Sequence, residues 1–93
     1  MTNNYRKLQV WERAVSLVVK IYKITEIFPD TEKFGLISQM RRASVSIPSN
    51  IAEGKVRRGD IEFRRFLLIA FGSGAELETQ IEISKNLLYC KDK

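Results

Sequence analysis

The stretch from Gln39 to Gly54, QMRRASVSIPSNIAEG, constrains this chain most, because an apolar stripe of helical period runs through it with a proline in the middle. Met40, Ala43, Ile47, Ile51 and Gly54 recur in steps of three and four, which is one face of an α-helix. Arg42, Ser46 and Asn50 recur at steps of four beside them, so the segment reads as an amphipathic helix with a polar seam. Pro48 lacks the N–H that would bond the Ser44 carbonyl, and its ring crowds that turn, an interior cost of about 3 kcal/mol. Ser44, Ser46 and Ser49 stand where hydroxyls could serve the freed backbone groups. The stripe keeps its phase through Ile47 and Ile51, which predicts a continuous helix kinked at Pro48. The alternative is two helices with Ser46 as a cap and an extended segment at 46–49.

Similar patterns flank this segment. The first helix is expected over residues 5–28, opened by Asn3 or Asn4 as N-cap and closed before Pro29, which disfavours a helical Phe28. Its inner stripe reads Leu8, Trp11, Val15, Val18, Tyr22 and Thr25, with Ala14 and Ile21 beside it. Asp30 or Thr31 caps a second helix over 32–56. Gly59 offers the left-handed conformation that ends that helix, and Asp60 caps a third over 61–89. Phe63, Leu67, Ala70, Gly74, Leu77, Ile81, Ser84 and Leu88 give the third helix an unbroken seam. Ala70, Ser73 and Gly74 are small enough to let another backbone approach. A GxG phosphate loop at Gly72 and Gly74 is rejected, since no strand precedes it. The fold class is therefore all-α: an antiparallel up-and-down helical bundle of three long helices forming one domain, residues 1–93.

Composition excludes several function classes. With 44% hydrophobic and 29% charged residues the chain is neither disordered nor membrane-embedded, and its longest apolar run, Phe66 to Phe71, falls far short of a bilayer span. The charged N-terminus and the single Cys90 point to a cytoplasmic protein without disulfides. There is no histidine, so a ferritin-like Glu-x-x-His metal site fails, and neither Cys90 nor any serine has a His to activate it. Glu78 and Glu82 share a helix face, where a carboxylate pair is ordinarily just solvated. The expectation is a non-enzyme with no cofactor and no metal.

Two polar groupings remain. An antiparallel pairing of helices two and three about Arg58 and Gly59 sets residues whose numbers add to about 117 opposite one another. Arg41 then faces Glu76 and Glu53 faces Arg64, ion pairs that would fix the hairpin register. The second grouping is the hairpin tip, where Lys55, Arg57, Arg58, Arg64 and Arg65 outnumber Asp60 and Glu62 in a chain of net charge +5. Arginine forks suit phosphate oxygens, and neutralising a nucleic-acid backbone needs no base-reading element, of which none is seen. The plainer reading of the same cations is a solubilising surface.

The motifs VWERA at 10–14, FP at 28–29, FGL at 34–36, QMRRASVSIPSNIAEG at 39–54, EFRRFL at 62–67 and GSGAELE at 72–78 carry a resemblance over nearly the whole chain. It resembles the bacterial four-helix-bundle proteins encoded in intervening sequences of 23S rRNA genes, which are related to the accessory variability determinant of diversity-generating retroelements. Arg42, Ser46, Asn50 and Glu53 belong to that family's most recognisable motif, which assigns them no chemical role. The resemblance implies a homo-oligomer, a pentamer by analogy, with RNA or DNA and a reverse transcriptase or other protein as partners. It also implies a fourth amphipathic helix, which this chain stops before; the sequence would then be naturally short or a truncation. Three striped helices alone leave the groove between helices one and three uncovered, and association of copies would bury it. The functional expectation is a basic oligomeric bundle that binds nucleic-acid backbone without strong sequence preference. The alternative is a structural homo-oligomer that scaffolds a protein partner.

Overall fold

The computed structural model describes residues 4–57 and 59–90. Three α-helices carry the fold: α1 Gln9–Thr25, α2 Leu36–Val56 and α3 Asp60–Asn86. Single 3₁₀ turns at Tyr5–Lys7 and Asp30–Glu32 precede α1 and α2. The described residues contain no strand, so the all-α reading holds. Helix α2 is central: it packs along both α1 and α3, whereas no described Cα of α1 comes within 8 Å of one in α3. The molecule is a shallow trough, 44 × 22 × 19 Å, with α2 as its floor.

That position explains the width of α2's buried arc. Met40, Ala43, Ser44, Pro48, Ile51 and Gly54 are all buried, spanning the directions of both neighbours. One core cluster joins Ile21, Phe28, Met40, Ala43 and Leu77. A second joins Ala14, Ile51 and Ala70 near the hairpin tip, and Ile47 packs against both.

The α2 helix runs unbroken through Pro48, so the two-helix alternative is excluded. The serines do not serve the Ser44 carbonyl as expected. Ser44 Oγ donates to the Arg41 carbonyl at 2.9 Å, and Ser46 Oγ pairs with Ser73 Oγ at 2.8 Å. Gly54 is where glycine is required for close approach. A Cβ there would lie 2.7 Å from Phe66 Cβ and 3.2 Å from Phe63 Cδ1, whereas Cβ atoms at Gly72 and Gly74 would meet nothing within 4 Å. The small residues of α3 thus make no close helix contact at Gly74 within this chain.

Helix boundaries differ from expectation in all three helices: α3 begins at Asp60, with Gly59 and not Asp60 at the N-cap, and ends at Asn86, not 89. The first helix is shortened at both ends: Asn4 Oδ1 accepts from Arg6 N at 3.1 Å and caps the 3₁₀ turn, and α1 ends at Thr25. The α2 helix starts at Leu36, not 32, and neither Asp30 nor Thr31 caps it. Glu32 reaches forward instead, its Oε1 accepting from Leu36 N at 2.9 Å. The buried stripe of α1 is Ala14, Ile21 and Thr25, leaving Val15 and Tyr22 exposed at the edge.

The end of α3 folds back. Leu88 takes a left-handed conformation, φ 65°, and Tyr89 N bonds the Ser84 carbonyl at 2.9 Å. This Schellman-type turn carries Tyr89 and Cys90 onto the first core cluster. Tyr89 packs on Phe28, ring centroids 5.4 Å apart, and its hydroxyl donates to Glu32 Oε2 at 3.0 Å. One carboxylate therefore caps α2 and anchors the chain beyond α3.

Candidate nucleic-acid interface at the hairpin tip

The tip is set by the close approach at Gly54. With no side chain there, α3 lies against α2 and seats Phe66 in the junction, 8% exposed. Arg57 and Arg65 both lie against this ring, their Cζ atoms 4.9 and 4.8 Å from its centroid. Lys55 stands 5.5 Å from the centroid of Phe63. The rings hold the cations by their quadrupoles and fix where the charges sit.

Each stacked arginine also has an acidic partner. Arg57 Nη2 meets Glu53 Oε2 at 2.8 Å, and Arg65 Nη2 meets Glu62 Oε1 at 3.3 Å. The bond to Glu53 raises the Arg57 pKa above its ordinary value, keeping the group charged. Both pairs are solvent-exposed and i,i+4 or i,i+3, the kind worth about 0–1 kcal/mol, so an incoming phosphate competes with them at little cost. Arg64 is exposed, and no hydrogen bond or ion pair ties it to another described residue. Arg58 lies outside the described residues. Beside Arg57 opens a shallow depression of about 630 Å³ lined by Tyr5, Ser49, Ala52, Glu53, Val56 and Arg57. Phe66 and Tyr5 were not singled out from sequence. The signal for Phe66 was its register against Gly54; nothing local marked Tyr5.

The polar motif of α2 is brought together only in part. Ser46 bonds Ser73, and Asn50 Nδ2 donates to Ser46 O at 2.8 Å and Ser46 Oγ at 2.9 Å, making a seam between α2 and α3. Arg42 is exposed on the same side, with no hydrogen bond or ion pair to a described residue. The expected Arg41–Glu76 and Glu53–Arg64 pairs are not made. Arg41 turns to α1 instead: its Nε donates to Thr25 Oγ1 at 2.9 Å, its Nη2 to the Tyr22 carbonyl at 3.2 Å, and its guanidinium lies 4.4 Å from the Tyr22 ring centroid. Glu76 accepts from Gln80 Nε2 at 3.3 Å, and Glu53 takes its own helix neighbour Arg57. Levels along the hairpin were right, since Gly54 meets Phe63 and Ser46 meets Ser73. Arg41 points around α2 to the opposite side from Glu76.

Among the described residues no group of three or more His, Cys, Asp or Glu is placed to hold a metal ion, and no helix is long and apolar enough to cross a membrane. Fold and site together define a small helical bundle with a basic hairpin tip and an open trough. The family described as 23S rRNA-intervening sequence protein has a sequence model that matches residues 6–93, and the chain belongs to that family. No curated protein matches it.

Proposed function

We propose that this is a non-catalytic, basic, self-associating bundle protein that binds the sugar–phosphate backbone of RNA or DNA through the α2–α3 hairpin tip. The observation that carries the reading is the pair of guanidinium groups laid on Phe66 beside Arg64, which no described residue pairs. Their charges are pre-positioned, so less side-chain entropy is lost when phosphate oxygens engage them. Among the described residues of the tip the cations sit at the ends of α2 and α3, so the reading is of contact with phosphates and not with base edges. Association of copies would repeat a modest patch and raise apparent affinity through multivalency. Retention of RNA and of DNA of unrelated sequence, measured over a salt series, tests the proposal. Alike binding that falls with salt supports it; no retention at low salt refutes it.

A second reading, a homo-oligomer that scaffolds a protein partner with no nucleic-acid role, draws on a separate observation. The trough between α1 and α3 is open and apolar, and the Arg57 and Arg65 charges already have Glu53 and Glu62. Stable association without any salt-dependent nucleic-acid retention would favour it.

A further inference from the structure

The depression beside Arg57 joins an apolar floor to an aromatic ring and a charged rim. Ser49, Ala52, Glu53 and Val56 follow one another at steps of three and four, so they form one strip of α2, on the side turned away from Ile47. Tyr5, from the 3₁₀ turn ahead of α1, lines the depression from a second element, and Arg57 stands where α2 ends. The volume, about 630 Å³, is that of an ordinary small-ligand site, roughly 300–1,000 Å³. Tyr5 is held in place. Asn4 caps its turn, Leu8 N donates to the Tyr5 carbonyl at 3.0 Å, and the ring meets Trp11 edge-on, centroids 5.3 Å apart. Arg6, exposed, lies over the same ring, its Cζ 5.4 Å from the centroid. An aromatic ring that shares its surroundings with two guanidinium groups is the combination that single-stranded nucleic acid sites use, stacking for the base and charge for the backbone.

The geometry points to a subsite for one unpaired nucleotide: its base enters the depression and packs on Tyr5, and its phosphate stays outside at Arg57. The inference rests on the backbone contact proposed for the tip and adds to it a preference for single strands. Glu53 decides which end of the nucleotide goes in. Its carboxylate accepts from Arg57 and repels phosphate, whereas every nucleobase carries an N–H that can donate to it. Ala52 and Val56 make the floor apolar, which suits a base and not a phosphate. Arg6 yields its face of the ring to the base and keeps its charge beside the next phosphate. In a duplex the bases are paired and stacked inside, so only phosphates reach the tip. Every base has an aromatic face, so the subsite takes any of them and the contact stays tolerant of sequence.

Affinity is measured at low salt for three probes of equal length: a single-stranded DNA of mixed sequence, a strand of the same length built from abasic sites, and the duplex. Wild type, Tyr5→Leu and Tyr5→Phe are compared as full chains, with helix content followed by circular dichroism. Trp11 is the one tryptophan of the chain, so its fluorescence reports on the surroundings of Tyr5. The wild type is expected to bind the base-bearing strand at least about fivefold more tightly than the abasic strand. A change in Trp11 emission accompanies the base-bearing strand and neither of the other probes. Tyr5→Leu weakens binding of the base-bearing strand alone and removes the difference; Tyr5→Phe, which keeps the ring, keeps it. Equal wild-type affinity for base-bearing and abasic strands overturns the base subsite and leaves the backbone contact standing, whereas binding to no probe overturns both. A difference that survives in Tyr5→Leu places the base elsewhere and overturns this site. If Tyr5→Leu loses helix content, the wild-type Trp11 signal decides: present with bases and absent without them, or the subsite falls.

Discussion

Arg41 is a capping residue for a helix other than its own. Helix α1 tightens in its last turn, where Glu26 N bonds the Lys23 carbonyl, and the Tyr22 carbonyl accepts from Arg41 and from the Thr25 hydroxyl. Arg41→Met removes a donor from a half-buried site and is expected to cost about 0.5–1.5 kcal/mol in urea unfolding. Glu76→Gln, at an exposed position, should stay within about 0.5 kcal/mol. Leu88 is 88% exposed and sits at φ 65°, where a side chain is strained. Leu88→Gly should therefore raise stability, by up to about 1 kcal/mol. Tyr89 carries the pH dependence. Its hydrogen bond to Glu32, with burial, raises the pKa above the ordinary value, so the fold favours the protonated phenol. The stabilisation is complete below the unfolded pKa of about 10 and is lost as pH rises through the folded value. Thermal unfolding should show an alkaline decline above about pH 10 that is reduced in Tyr89→Phe.

At the scale of the helix, the α2–α3 hairpin is fixed by what Gly54 lacks. Gly54→Ala forces a contact onto Phe66 Cβ, an atom next to the backbone that cannot swing away. Overpacking of about 1–3 kcal/mol exceeds the roughly 1 kcal/mol that alanine gains in helix propensity, so the melting temperature should fall. Gly72→Ala, on an exposed and open part of α3, should raise it. The three helices, their order and the hairpin register were legible because apolar period, Pro29 and Gly59 mark them locally. Facing was not legible for Arg41, and the spacing named no partner for Ser46, which meets Ser73 on α3. On a central helix two flanks are buried, and sequence spacing does not say which neighbour lies on which flank. The late start of α2 was hidden for a related reason: Asp30 and Thr31 looked like caps, whereas the cap is Glu32, reaching forward from a 3₁₀ turn. At the tip, cation identities were legible, but not their stacking on Phe66, which depends on tertiary contact at Gly54.

For the whole molecule, the body is elongated, 44 × 22 × 19 Å, with the basic α2–α3 tip at one end. The most direct test of the central claim is the affinity for two nucleic acids of unrelated sequence, measured from low to physiological salt on the wild type and on Arg57→Glu/Arg64→Glu. The account predicts that log affinity falls linearly with log salt, by about 0.9 per duplex phosphate neutralised. It also predicts a shallower slope and weaker binding to both sequences in the variant, with helix content unchanged. Affinity in the variant equal to that of the wild type, at the same slope, would contradict it.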